Sequence, residues 1–301
     1  MKIINKVKLI FYILIVIFIF LSLNLVDNLI KLKEKLEKEK LQIFLSVGAS
    51  YLLVKEIGGN KVILNAPRVI FQKAHAHDIE FLPSDIKNIN NSHIVLLIGY
   101  DFDNWVLDYL KNTNTKVFYL NSNIEPIYYN KNKINPHYWL SLDNSIKLAE
   151  NIYNILSTLD SQNRFYYLKN FNNFVHKINE VKNRYQPLFK SLSNKKIITT
   201  HPSFDYLSKD LDLNIVFTLK NLEGQDILPQ DVLKLSKTIK KENIKVLVLE
   251  EGFEDNFSLQ VSQIFNLKIA YVDPMESLKN INLSYVDILQ RNLDSIYNSL
   301  K

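Results

Sequence analysis

The apolar positions fall into three regimes along the chain. From Leu9 to Val26 they form one run, broken only by Ser22 and Asn24 and preceded by Lys2, Lys6 and Lys8. About 18 residues make ~27 Å of helix, close to the ~30 Å hydrocarbon core of a bilayer. The run ends in Leu25-Val26-Asp27-Asn28 without a small-x-small cleavage site, so an uncleaved anchor is expected, with a cleaved signal as the alternative. The preceding lysines place the N-terminus inside and the remainder outside. From Asp27 to Lys40 the pattern changes to Leu29, Leu32 and Leu36 on one stripe among Lys and Glu, which predicts a charged helical stalk.

Beyond the stalk, short apolar runs alternate with segments of helical period. Ile43–Val47, Lys61–Leu64, His93–Ile98 and Lys116–Leu120 read as strands, separated by helical stretches at Ser50–Ile57, Asp85–Asn90 and Trp105–Leu110. Continuous apolar strands joined through helices indicate parallel sheet buried on both faces. A helix capped by Ser141 or Asp143 carries Ile146, Ala149, Ile152 and Leu156. A longer pattern then runs from about Ser161 to Pro187 through Leu168, Phe171, Phe174, Ile178, Val181, Tyr185 and Leu188. It contains no glycine, spans ~40 Å, and is expected to end or kink at Pro187. Alternation restarts with strands at Lys196–Thr200, Asn214–Phe217, Lys245–Leu249 and Lys268–Val272, and helices at Tyr206–Asp210, Pro229–Lys240 and Phe257–Phe265. The predicted fold is α/β: two lobes with parallel sheets joined by one long rigid helix. The expected boundaries are an anchor over 1–26, a stalk over 27–42, an N-terminal lobe over 43–160, the inter-lobe helix over 161–190 and a C-terminal lobe over 191–301.

Composition narrows the chemistry. The 301 residues are 47% hydrophobic and 23% charged, ordinary globular values. The net charge of +6 comes from lysines spread along the chain among acids. No basic arm or arginine stripe is present, so nucleic-acid binding is not expected. The absence of cysteine excludes disulfides, thiolate metal sites, cysteine nucleophiles and a lipid anchor on an N-terminal cysteine.

Six histidines remain to be placed. His77 lies in a loop before a helix, and His137 in Asn-Pro-His-Tyr-Trp. His201 directly follows the strand ending at Thr200, and Asp273 follows Val272 in the same way. Ligands of parallel α/β sheets bind at the carboxyl ends of strands. Imidazole and carboxylate suit Zn(II), Mn(II) or Fe(II). Spacing alone does not single out a metal site, because no local HExxH pair is present.

Several segments resemble, in order, the motifs of the zinc/manganese solute-binding proteins of ABC transporters, the ZnuA/TroA-like family. His77-Asp78-Ile79-Glu80 through Pro83-Ser84-Asp85 resembles the family's HxYEPTPSD. Gly99 through Trp105 resembles the stretch that follows it. Asn135-Pro136-His137-Tyr138-Trp139 is similar to DPHxW, and Thr200-His201-Pro202-Ser203-Phe204 through Leu207 to SHxAFxYLA. Glu223-Gly224 up to Pro229 and Glu250 up to Pro274 resemble the closing motifs, so residues 43–275 are covered. Ile79 stands where an aromatic is usual, Phe81-Leu82 replace Pro-Thr, and the histidine-rich loop of many zinc members is absent.

The resemblance implies an extracytoplasmic solute-binding protein, not an enzyme. It would hold Zn2+, or less favourably Mn2+, as cargo between two lobes and deliver it to an ABC permease and its ATPase. The metal ligands it implies are His77, His137, His201 and Asp273. His75 is an extra histidine nearby, His93 reads as a strand-start residue, and His176 as one on an exposed helix face. The protein is expected to act as a monomer held at the membrane by its N-terminal helix, or secreted after signal cleavage. Alternatives are a surface adhesin of the same fold and a zinc metallohydrolase, with Glu80 or Glu251 as nominal base.

Overall fold

The structure is a computed structural model that describes residues 18–31, 40–71, 82–111, 113–222, 224–252, 254–278 and 282–301. The chain divides into two units, Met1–Lys40 and Leu41–Lys301. In the first, residues 18–31 are helical, with Phe18, Phe20, Leu21, Leu23 and Leu25 exposed. Among the described residues no helix is long and apolar enough to cross a membrane. Residues 9–17 of the expected anchor and most of the expected stalk lie outside them.

The second unit begins with β1 (Leu41–Leu45), whose first two residues fall in the segment assigned to the stalk. With β2 (Val62–Asn65), β3 (Ile94–Leu97) and β4 (Lys116–Tyr119) it forms a parallel sheet in the order β2-β1-β3-β4. Helix α1 (Gly48–Gly58) connects β1 to β2, and α2 (Pro83–Asn90) precedes β3. Gly59 ends α1 at φ +52°, where a side chain would be strained. The second sheet is built from β7 (Lys196–Thr199), β8 (Asn214–Thr218), β9 (Val246–Glu250) and β10 (Lys268–Val272). It too is parallel, in the order β10-β9-β7-β8. Its helices are α5 (Asp205–Leu211), α6 (Pro229–Glu242) and α7 (Asn256–Phe265).

Period-two geometry explains why the central strands are apolar on both faces. Ile43, Leu45, Ile94 and Leu96 point into one core, while Phe44, Val95 and Leu97 point into another with Ile89 and Val106. In the second sheet Ile197, Val246 and Val248 join the first core, and Ile198, Leu247 and Leu249 pack under α6 and α7 with Leu235, Ile239 and Val261. One core is therefore continuous through both lobes.

Two long helices fill it between the sheets. Helix α3 (Leu142–Leu159) is capped by Ser141, whose side chain accepts the Asn144 N–H. Helix α4 (Arg164–Lys190) buries Tyr167, Phe174, Ile178, Val181, Tyr185 and Phe189. It runs through Pro187 to Lys190 and so does not end at the proline. A proline in the last turn removes a single backbone donor. Burial of Phe189 and acceptance of the Ser191 N–H by the Pro187 carbonyl complete that turn.

Two elements were not expected. A short antiparallel hairpin, β5 (Ile127–Asn130) and β6 (Lys133–Asn135), leads into the His137 loop. Helix α8 (Tyr285–Leu300) starts at a capping box of Ser284 and Asp287 and packs on α4, α1 and β10. Tyr185 donates to Asp294 across the α4–α8 contact.

Candidate metal centre

His137, His201 and Glu276 are all buried, and one ligand-type atom from each lies within 4.8 Å of the others. Each stands at a chain exit from a strand. His137 follows β6, His201 follows β7, and Glu276 lies four residues beyond β10. The rings of His137 and His201 meet edge to face, 5.1 Å between centroids. Trp139 and Phe102 pack against the His137 ring at 5.1 and 5.9 Å. His137 and Trp139 are fully buried there.

Nε2 of His137 lies 3.2 Å from Oε1 of Glu276. Two atoms bound ~2.0–2.1 Å from a tetrahedral zinc ion would be about 3.3 Å apart. Burial holds the His137 pKa below the ordinary imidazole value, opposed by the Glu276 carboxylate, so the ring favours the neutral form a metal ligand needs. His201 behaves in the opposite way. Burial acts against its charge, but the Glu250 and Glu276 carboxylates outweigh that and raise its pKa to about 9. Its Nδ1 lies 2.8 Å from Ser203 Oγ and 3.5 Å from Glu250 Oε1, and the Ser203 hydroxyl donates to Glu250. Burial opposes charge on Glu250 as well, yet the His201 imidazolium keeps its pKa below the usual value. Nε2 of His201 faces the Leu222 carbonyl at 3.2 Å. A cleft of about 250 Å³ beside the cluster is lined by Tyr100, Phe102, Ile134, Pro136 and Leu222. That is small beside the ~300–1,000 Å³ of organic-ligand pockets.

The loops that carry the cluster are tied to each other across the lobes. The Trp139 indole donates to the Pro274 carbonyl at 2.8 Å, and the Tyr285 hydroxyl to the Trp139 carbonyl. Gly48 donates its N–H to the Glu276 carbonyl at 3.0 Å. A Cβ on Gly48 would come within 2.8 Å of the Met275 carbonyl oxygen and 3.0 Å of the Ser277 carbonyl. Buried Asp103 fastens the ends of β1 and β3 by accepting from Ser46 and from the N–H groups of Ile98 and Gly99.

Of the expected ligands, His137 and His201 are brought together, and His77 lies outside the described residues, as does His75. Among the described residues the carboxylate that joins the imidazoles is Glu276. Asp273, expected in that place, is buried at the end of β10, where its Oδ1 accepts the Met275 N–H at 2.8 Å. Its own N–H and carbonyl are both held by Asn292. Met275 follows with φ +56°, a left-handed turn that redirects the chain between Asp273 and Glu276. The sequence signal for Glu276 was its place in Asp-Pro-Met-Glu-Ser, in the same strand-end loop. His93 accepts the Gln42 N–H beside β1, and exposed His176 pairs with Glu180 one turn along α4.

Two α/β lobes around a helical spine, with imidazoles and a carboxylate at strand ends between them, define a metal-holding binding protein. Residues 43–299 match the family described as Zinc-uptake complex component A periplasmic, and the chain belongs to that family. It is 27% identical over 265 residues to the metal ABC transporter substrate-binding lipoprotein SloC of Streptococcus mutans serotype c, covering 82% of this chain and 86% of SloC. The manganese ABC transporter substrate-binding lipoprotein PsaA of Streptococcus mitis is 25% identical over 285 residues, 89% of this chain and 92% of PsaA. A crystal structure of ZnuA superposes with a TM-score of 0.78 at 23% identity, covering 87% of this chain and all of that one. These relatives are substrate-binding proteins of transporters, not enzymes.

Proposed function

We propose that the protein captures one divalent transition-metal ion between its lobes outside the cytoplasm and delivers it to an ABC permease, with zinc favoured over manganese. The observation that carries this reading is the 3.2 Å approach of His137 Nε2 to Glu276 Oε1 inside a buried cluster that includes His201. Because His137 Nδ1 faces the Asn135 amide oxygen, which can only accept, its Nε2 and the Glu276 carboxylate turn lone pairs toward each other, and a proton and a metal ion compete for the place between them. His137, His201 and Glu276 form the proposed ligand set, with His77 as the fourth ligand by its position in the sequence. Three imidazoles and one carboxylate complete a tetrahedral site, which suits zinc. Zinc also outranks manganese in intrinsic affinity, so tight zinc binding alone does not identify the cargo. The apolar run Leu9–Val26 is proposed as the membrane tether, in place of the lipid on the lipoprotein relatives.

The test combines competition titration of the purified protein with Zn(II) and Mn(II), metal analysis of protein isolated from its own cells, and cellular metal content with and without the gene. Binding of one equivalent, and a zinc deficit in cells lacking the gene, are expected. A protein that binds neither ion would end the capture reading; a manganese deficit instead would reverse the metal preference.

A further inference from the structure

The orientation of His137 depends on a side chain that capture alone does not use. Asn135, at the end of β6, is fully buried. Its amide nitrogen lies 2.6 Å from the Pro202 carbonyl oxygen and 2.8 Å from Oδ2 of Asp205. A peptide carbonyl can only accept, so the NH2 end of the amide must face Pro202, and Oδ1 must face His137. There Oδ1 accepts the His137 backbone N–H at 3.0 Å and lies 2.8 Å from Nδ1 of the ring. An amide oxygen cannot donate, so Nδ1 carries the hydrogen. In a neutral imidazole this leaves the lone pair on Nε2, the nitrogen that faces Glu276.

We infer that Asn135, anchored by Asp205, is the positioning residue that sets the tautomer of His137 and fixes it relative to His201. The inference rests on the capture reading for its purpose, though not for its geometry. The partners of Asn135 directly follow His201 in the chain: Pro202, Asp205, and Tyr206, whose hydroxyl donates to the Asn135 carbonyl at 2.9 Å and accepts the Ile127 N–H at 2.8 Å. One amide therefore joins the loops carrying the two imidazoles, one from each lobe. Metal-binding histidines commonly donate their second N–H to such an acceptor, and loss of it weakens metal binding about 10–100-fold. Only an amide fits here. Aspartate at 135 would leave the Pro202 carbonyl without its donor and set a second carboxylate against Asp205, whose own pKa burial already raises.

The full-length protein in detergent micelles, labelled with 15N-histidine, gives two independent tests. The first reads imidazole 15N–1H correlations of the wild type, with His137 assigned by its loss in His137→Gln. Protonated Nδ1 is expected, with Nε2 as the nitrogen whose resonance shifts on adding Zn(II). Protonated Nε2 in the metal-free neutral ring, or coordination through Nδ1, would overturn the inference. This arm does not depend on any Asn135 variant folding. The second arm compares zinc affinities. Asn135→Asp should bind at least about tenfold more weakly, and the exchange of amide and carboxylate in N135D/D205N should recover most of that loss. Undiminished affinity in N135D, or no recovery in the double variant, would count against the relay. If the wild type shows the expected tautomer but binds no metal, the capture reading falls and the positioning role stands.

Discussion

His137 and His201 face one another edge to face, yet their surroundings push their protonation in opposite directions. His137 is buried among aromatic rings and favours the neutral form. His201 is held as a cation up to about pH 9 by Glu250 and Glu276. On the proposed ligand set, a metal ion would have to displace a proton from His201. Zinc titrated calorimetrically near pH 7.5, in buffers of different ionisation enthalpy, should release about one proton per ion. Because the proton competes below pH 9, affinity should fall by up to about tenfold per unit as pH drops. A constant affinity between pH 6.5 and 9 would show that His201 is not displaced. The two carboxylates of the 273–276 loop separate in the same assay. Glu276→Gln should weaken zinc binding by orders of magnitude, as should His137→Ala. Asp273→Asn keeps an acceptor for the Met275 N–H and should cost far less. If Asp273→Asn proves the more damaging change, Asp273 is the ligand and Glu276 its neighbour.

At the scale of elements, α1 meets the metal loop at Gly48. Alanine inside a helix ordinarily gains up to ~1 kcal/mol over glycine. Here the added Cβ would press on the Met275 and Ser277 backbone and move the loop that carries Glu276. Gly48→Ala should therefore lower both the melting temperature and zinc affinity, although residue 48 is no ligand; a more stable variant with intact affinity would contradict this. The eight strands of the two main sheets were legible because each is a short, mostly apolar run, the central β3 and β9 being buried throughout. The β5–β6 hairpin was not, since Ile127–Asn130 and Lys133–Asn135 are brief, and Tyr128 and Tyr129 are exposed. Helix α8 carried readable signals in Ser284-x-x-Asp287 and in Val286, Leu289, Leu293 and Ile296, but its polar composition hid them. At the site, His201 was legible from its place directly after a strand, and His137 from its Asn-Pro-His-Tyr-Trp motif. Which of two nearby acids turns inward depends on the left-handed backbone at Met275, and no side-chain pattern announces that.

For the whole molecule, α4 and α8 together bridge the lobes, and neither contains glycine. Hinges need residues that absorb backbone rotation, so the lobes should keep a nearly fixed separation. The absence of native cysteine makes this simple to measure. Spin labels on Lys87→Cys in α2 and Lys237→Cys in α6, both exposed, should show distances that differ by less than ~3 Å with and without zinc. A displacement several times larger would mean that the lobes open as rigid bodies. Metal at a hundredfold excess over Kd should add about 2.7 kcal/mol to the folded state, seen as a higher melting temperature that chelator reverses.

Helix α8 closes the shared core far along the chain from the strand that opens it. Tyr285, Leu289 and Leu293 complete a hydrophobic layer begun by Ile43 and Leu45 some 240 residues earlier. During synthesis, the N-terminal sheet has no finished interior until residues 285–300 have been made. Protease challenge of a chain stopped at Ser284 should find the N-terminal sheet open to digestion, whereas a chain continued to Lys301 resists.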